Sequence, residues 1–226
     1  MVKDIKDICV IIQARLGSQR IPGKMLKPFA DTTLVDILLE KLTQSTIIPK
    51  SNIYFSVYEE ELKQVAQKYS INIFHRSKQS SNSEGLLLPE IFEWHTLPFK
   101  YVILISACNP LLKLETIDNF ISSFIKSSKK GGFAVFKKKN YFWDTNGNSI
   151  TDWKGLPCMN TKMIDHVYEA AHCLYASPMN IIKNNQWLTT EGPDGLELFD
   201  ISELESFDID YEWQFNVAEQ LYKNLK

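Results

Sequence analysis

The chain has 226 residues, enough for one α/β domain with an excursion but short for two independent ones. Apolar residues make up 44% and charged residues 23%, ordinary globular usage that leaves no room for a long disordered tail. A formal net charge of −2 supplies no global field to attract nucleic acid or an anionic membrane, so any anion site has to be built by local clustering.

The four cysteines, Cys9, Cys108, Cys158 and Cys173, are scattered without a C-x-x-C pair and read as free, mostly buried thiols. Met1 to Lys6 is charged rather than apolar. No stretch approaches the roughly 18 apolar residues of a membrane span, so a cytoplasmic protein is expected.

In chain order, Ile8 to Ile12 is an unbroken apolar run of the length and β-branched content of a strand covered on both faces. A polar loop follows. Leu34, Ile37, Leu38 and Leu42 then recur at helical spacing behind Thr32 and Thr33, which predicts a capped amphipathic helix. The alternation continues with a strand at Ile53 to Val57, a helix at Glu59 to Lys68, a strand at Ile71 to Phe74 and a helix at Glu84 to Trp94. Next come a strand at Tyr101 to Ser106, a helix at Thr116 to Ile125 and a strand at Gly132 to Phe136. This order predicts a single α/β domain, three-layered, with a mostly parallel sheet and right-handed crossovers. Ligands then belong outside the carboxyl ends of the strands, beside the Ala14 to Lys27 loop and the segment after Ser106.

Regularity breaks from Lys137 to about Val167, where Asn146-Gly147 predicts a two-residue hairpin turn. Its Tyr141, Phe142, Trp143 and Trp153 mark an inserted arm that serves either as a dimer contact or as a lid over its own crevice. A strand at Ala171 to Ala176, a short helix and a last helix from about Tyr211 to Lys226 complete the reading. Glu191 and Asp194 belong to a turn.

Gln13 to Lys27 carries Arg15, Arg20, Lys24 and Lys27, with no acidic residue between Asp7 and Asp31. Four cations beside Gly17, which lets backbone approach closely, and the hydroxyl of Ser18 suit a polyphosphate. The Walker A pattern fails because Met25 follows Gly23-Lys24, and G-x-G-x-x-G is absent.

Ile-Ile-Gln-Ala-Arg-Leu-Gly-Ser-Gln-Arg-Ile-Pro-Gly-Lys-Met-Leu-Lys, residues 11 to 27, resembles the nucleotide-binding signature of the acylneuraminate cytidylyltransferase family. The resemblance implies a Rossmann-like nucleotidyltransferase fold, a CTP triphosphate held by Ala14, Arg15, Ser18 and Lys24, and Gly17 permitting the turn. Gln13, in place of a Pro, and Met25, in place of an Asn, look more like the branch with spore coat polysaccharide proteins. Arg76 with Ser81 and Ser83 is similar to the family's cytidine-contacting segment, although Ser77 stands where that segment has Pro. Ile105 to Leu112 occupies the place of the family's Gln-Pro-Thr-Ser-Pro-Leu signature, which offers Ser106 and Asn109 as sugar or nucleotide contacts. Glu169 to His172 stands where the family has a small Asn-Gly-Ala run lining the sugar pocket. His172, in a strand-like run, is either a satisfied core histidine or a pocket residue. The resemblance also implies a homodimer joined through the inserted arm.

Asp208-Ile209-Asp210 resembles the family's closing motif. Independently, a period of two puts both carboxylates on one face of an extended segment, where they suit Mg²⁺ bound with substrate phosphates. Asp210 is equally placed to cap the last helix, expected to bury Trp213, Val217 and Leu221. The histidines lack zinc-site spacing.

The expected activity is transfer of CMP from CTP, with Mg²⁺, to an acidic sugar of the sialic or ulosonic acid type, with Arg15, Lys24 and Asp208 carrying the catalysis. Two alternatives stay open: a sugar 1-phosphate or other small acceptor, and a non-catalytic nucleotide-binding partner protein. The latter has no need of the paired carboxylates.

Overall fold

The computed structural model describes residues 3–82, 86–188 and 195–225. Seven strands form one sheet in the order β3-β2-β1-β4-β6-β5-β7. They are β1 (Ile8–Gln13), β2 (Ile53–Val57), β3 (Asn72–His75), β4 (Tyr101–Ile105), β5 (Gly131–Lys138), β6 (Val167–Pro178) and β7 (Leu196–Asp200). β1, β2, β3 and β4 pair in parallel, whereas β6 runs antiparallel to both β4 and β5, and β7 returns parallel to β5.

β1, interior to the sheet, shows why the apolar run was decisive. Every residue from Ile8 to Ile12 is fully buried. Ile8, Val10 and Ile12 pack with α1 (Leu34–Thr43), α2 (Glu60–Tyr69) and α5 (Leu114–Lys126), while Cys9 and Ile11 meet Trp94, Val102, Met179 and Ile182 on the opposite face. α3 (Lys78–Asn82) and α4 (Leu88–Ile91) are short. α1 starts where expected, with the Thr33 hydroxyl accepting from the Asp36 amide at 3.2 Å.

Several expectations are corrected. In the described part of the Glu84 to Trp94 span, α4 and a 3-10 turn at Glu93–Thr96 replace the expected helix: Pro89, which lacks an N–H, is accommodated in the first turn of α4 behind an extended Leu87. β7 was not anticipated. The Asn146-Gly147 turn is a three-residue connection: the Gly147 amide donates to the Asp144 carbonyl at 3.1 Å, the Asp144 amide to Asn148 at 2.9 Å, and Gly147 takes φ +85.

The last helix, α6 (Glu212–Leu225), buries Phe215 and Ala218 rather than Trp213 and Val217, which are 60% and 43% exposed. Two adjacent apolar stripes compete on that helix. Phe29, at the end of the basic loop, selects one by meeting Phe215 edge-on at 5.2 Å and Tyr222 at 5.5 Å.

Between β5 and β6 the inserted segment packs partly on itself. Tyr141 is buried against Trp153 at 4.8 Å and accepts from the Asn160 amide at 2.7 Å through its hydroxyl. Trp143 stays about half exposed, and Ile150, Met159, Met163 and Val167 are exposed. Among the described residues no helix is long and apolar enough to cross a membrane.

Candidate active site

At the carboxyl end of β1 the backbone turns into the basic loop. One carbonyl organises it: Leu16 O accepts from the amides of Ser18 at 2.8 Å and Gly23 at 3.2 Å, and the Leu16 amide donates to the Glu59 carboxylate, just past β2, at 2.9 Å. Gly23, at φ +65, is the residue that needs glycine here. Gly17 lies outside the left-handed region, so the turn makes no such demand of it. Space is open where a side chain there would stand.

The loop borders a cavity of about 570 Å³ lined by Gln13, Ala14, Arg15, Ser18, Gln19, Arg20, Lys24, Met25, Arg76, Cys108 and Asp210. Three of the four loop cations are thus brought together. Lys27 is not among them: it pairs with Glu212 and lies 4.7 Å from the Phe215 ring. Arg15 donates to the carbonyls of Ser81 at 2.9 Å and Asn82 at 2.6 Å. Lys24 is buried and donates to the Ile209 carbonyl. Arg20 pairs with Asp210 at 2.6 Å and lies over the Tyr211 ring at 5.3 Å.

Arg76, only 5% exposed, donates to the Ser80 hydroxyl at 3.1 Å and to its carbonyl. Burial pushes its pKa down to about 10. Ser81 is buried, and its hydroxyl donates to Lys78 O at 2.7 Å. Ser83 lies outside the described residues.

A second cavity of about 340 Å³ is lined by Phe136, Lys138, Glu169, Ala170, Ala171, His172, Glu203, Ser206, Phe207, Asp208 and Gln214. β6 builds it by losing register. Phe133 faces Tyr175 and Val135 faces Ala170, so Ala171 to Leu174 bulge away from β5, while Leu174 still pairs with Ile105 of β4. His172 sits on that bulge, exposed, in the left-handed region at φ +51, and its Nδ1 lies 2.9 Å from the Tyr175 hydroxyl. The core reading of His172 is therefore corrected.

Asp210 lines the first cavity and Asp208 the second. Burial first, and then the neighbouring Asp210, raise the Asp208 pKa, against the opposing charges of Lys24 and His172. Asp208 Oδ1 is buried without a hydrogen-bond partner. Asp210 does not cap α6. The Gln214 side chain accepts from the amides of Asp210 at 2.7 Å and Tyr211 at 2.8 Å, leaving the Asp210 carboxylate to Arg20.

Ser106 and Asn109 line neither cavity. The Ser106 hydroxyl accepts from the Cys108 amide at 3.1 Å, and buried Asn109 donates to the Ser206 carbonyl at 3.0 Å. Together with the Ile209 amide on Cys108 O at 3.0 Å, they fasten the loop after β4 to the Asp208 segment. Sequence reasoning missed Gln19, Met25 and Cys108 in the first cavity and Lys138, Glu203 and Gln214 in the second. The alternation at the end of β5 was the one available sign for Lys138.

Relatives of this chain include a spore coat polysaccharide biosynthesis protein, SpsF, of Bacillus subtilis, 29% identical over 121 residues that cover 53% of this chain and 50% of that protein. Another is a pseudaminic acid cytidylyltransferase of Campylobacter jejuni, 29% identical over 138 residues that cover 58% of each chain. The chain spans about half the length of most of the curated relatives it matches. Among solved structures, CMP:2-keto-3-deoxy-manno-octonic acid synthetase complexed with CTP superposes with a TM-score of 0.66 at 12% identity, covering 97% of this chain and 99% of that one. The 4-diphosphocytidyl-2C-methyl-D-erythritol synthase of Anaerococcus prevotii does so with a TM-score of 0.67 at 14% identity, covering 96% of each. These likenesses show the fold. Residues 9–152, well over half of the chain, match the family model described as cytidylyltransferase, and the chain belongs to that family.

Proposed function

We propose that the chain transfers a cytidylyl group from CTP to the hydroxyl of an acidic sugar of the sialic or ulosonic acid type, with release of pyrophosphate. One observation carries the reading: Asp208, with a buried and unpartnered oxygen, lines the second cavity two residues from Asp210, which lines the cation-bearing first one. A nucleotide triphosphate and its acceptor need such adjacency. Arg15, Arg20 and Lys24 hold the phosphates, Arg76 borders the nucleotide cavity, and His172 with Lys138 faces the acceptor.

The two carboxylates fit Mg²⁺, which binds through one or two carboxylates and completes its shell with phosphate oxygens and water. Among the described residues no group of three or more such ligands converges, which excludes a closed all-protein cage there. Bound at Asp208 and Asp210, Mg²⁺ would supply charge neutralisation of the phosphates. The protein's own work is positioning: the loop cations align the triphosphate, and the β6 bulge presents the acceptor hydroxyl in line with the α-phosphorus.

A second reading has its own support. Lys138 pairs with Glu203 and lies 4.0 Å from Glu169, which offsets the positive charge available to a sugar carboxylate or phosphate and favours a small uncharged acceptor. Pyrophosphate release measured with CTP, Mg²⁺ and a panel of acidic sugars, sugar 1-phosphates and neutral sugars tests both readings. Turnover is expected with acidic sugars, and pyrophosphate release with none of the panel would sink the enzyme reading.

We further propose a homodimer joined by the inserted segment, on the strength of exposed Trp143, Ile150, Met159 and Met163. Light scattering should give a dimer for the wild type and a monomer for Ile150→Glu, Met163→Glu. A monomeric wild type would leave the segment as a lid.

A further inference from the structure

We infer that Trp94 locks Gln13 as a hydrogen-bond donor to the base of the bound nucleotide. The inference rests on the reading of the first cavity as a CTP site. Gln13 ends β1, on the strand face that Cys9 and Ile11 share with Trp94, and it lines that cavity. The Trp94 indole N–H donates to Gln13 Oε1 at 2.7 Å.

An indole nitrogen donates and cannot accept, so the amide orientation is chemically determined: its oxygen faces Trp94 and its NH₂ faces away. Trp94 is itself immobilised, fully buried and stacked on Phe92 at 4.8 Å with Trp187 edge-on at 6.3 Å. Among the described residues Gln13 makes no other side-chain hydrogen bond in which its NH₂ is spent.

Charge decides what this donor serves. Arg15, Arg20, Lys24 and Arg76 border the same cavity, and charge-assisted bonds to phosphate are about twice as strong as neutral ones. A neutral amide held in a fixed direction among four cations adds little to phosphate binding. It suits an uncharged acceptor, and the cytosine ring offers two, O2 and N3. Uracil also offers two, O2 and O4, but carries a donor at N3 between them.

Calorimetry with CTP, and with inorganic tripolyphosphate as the probe of the phosphate subsite, tests this. Gln13→Leu keeps the volume and removes the donor; CTP affinity should fall roughly five- to tenfold while tripolyphosphate affinity stays unchanged. Trp94→Phe keeps the ring and frees the amide, and should weaken CTP about two- to fivefold. Because Trp94 acts only through Gln13, the double variant should bind CTP no worse than Gln13→Leu alone, which a merely structural role of Trp94 would not produce. Wild-type CTP affinity in Gln13→Leu, a parallel loss for tripolyphosphate, or full additivity in the double variant would overturn the inference. A wild type that binds tripolyphosphate but not CTP overturns the nucleotide reading instead.

Discussion

On the β1 side of the site the cations are already tied to neighbouring backbone, Arg15 to Ser81 and Asn82 and Lys24 to Ile209. On the β6 side Asp208 keeps a buried oxygen without a partner, and His172 stands on a bulge in a conformation that non-glycine residues avoid. The cations of the parallel half are thus pre-organised, although Ser56 Oγ and Glu59 Oε2 are buried there without partners, while at the antiparallel half an unpartnered carboxylate oxygen and a strained backbone line one and the same cavity. Strain and orphaned polar atoms collect where a protein keeps a site for something else to complete.

The largest expected effect breaks the second half alone. Asp208→Asn should lower turnover by two to three decades, on the scale of losing one transition-state electrostatic contact, with CTP affinity within a few fold and the melting temperature unchanged or raised. Stability does not suffer, because burial already disfavours the Asp208 charge. Undiminished pyrophosphate release at limiting Mg²⁺ would remove Asp208 from the mechanism.

Arg15→Ala and Lys24→Ala address the first half. Each should weaken CTP by about one to two decades in calorimetry, the loss of a charge-assisted contact. The two should differ in stability, since only Lys24 is buried and joined to the Asp208–Asp210 segment. Equal melting temperatures would contradict that distinction.

His172→Gly sharpens the contrast from the other side. Glycine accepts the left-handed backbone, so stability should hold or rise by up to about 1 kcal/mol, while the KM for the acceptor rises about tenfold and that for CTP does not move. A loss of stability would show that the bulge is not strained.

A separate effect, on stability alone, involves the loop after β4. Lys41, on α1, donates to Pro110 O at 2.8 Å and Leu112 O at 2.6 Å, and burial pushes its pKa down to about 8. Between that value and the ordinary 10.5 the unfolded chain binds the extra proton, so this group makes stability rise with pH across that window. Denaturant titrations at several pH values should show the rise in wild type and a flatter profile in Lys41→Met.

The same division governs what was legible in the sequence. The parallel half announces itself locally: Ile8 to Ile12 is buried on both faces, Thr33 caps α1, and the loop after β1 concentrates its cations within one short stretch. The antiparallel half depends on pairing between distant segments. Nothing in Ala-Ala-His-Cys tells that β6 loses register against β5 while keeping it against β4, and so His172 could be read as core. Asp210 looked like a helix cap because a cap is a local device, but Arg20 claims its carboxylate from across the chain and Gln214 takes over the capping. In the second cavity, Lys138 and Glu203 meet only once β5 and the segment after β7 are side by side.

The tether from Lys24 to the Ile209 carbonyl, and that from Arg20 to Asp210, also set an order of assembly. Their partners are separated by 185 and 190 residues of chain. A growing polypeptide leaving the ribosome can pair β1 with β2 and β4 while the segment around residues 208–215 has yet to emerge, but its basic loop then lacks both anchors. A proteolytic cut ahead of Asp208 would produce the same species from the finished protein: a chain that retains the central strands and the loop cations, with neither the carboxylates nor the contacts that hold the loop against them.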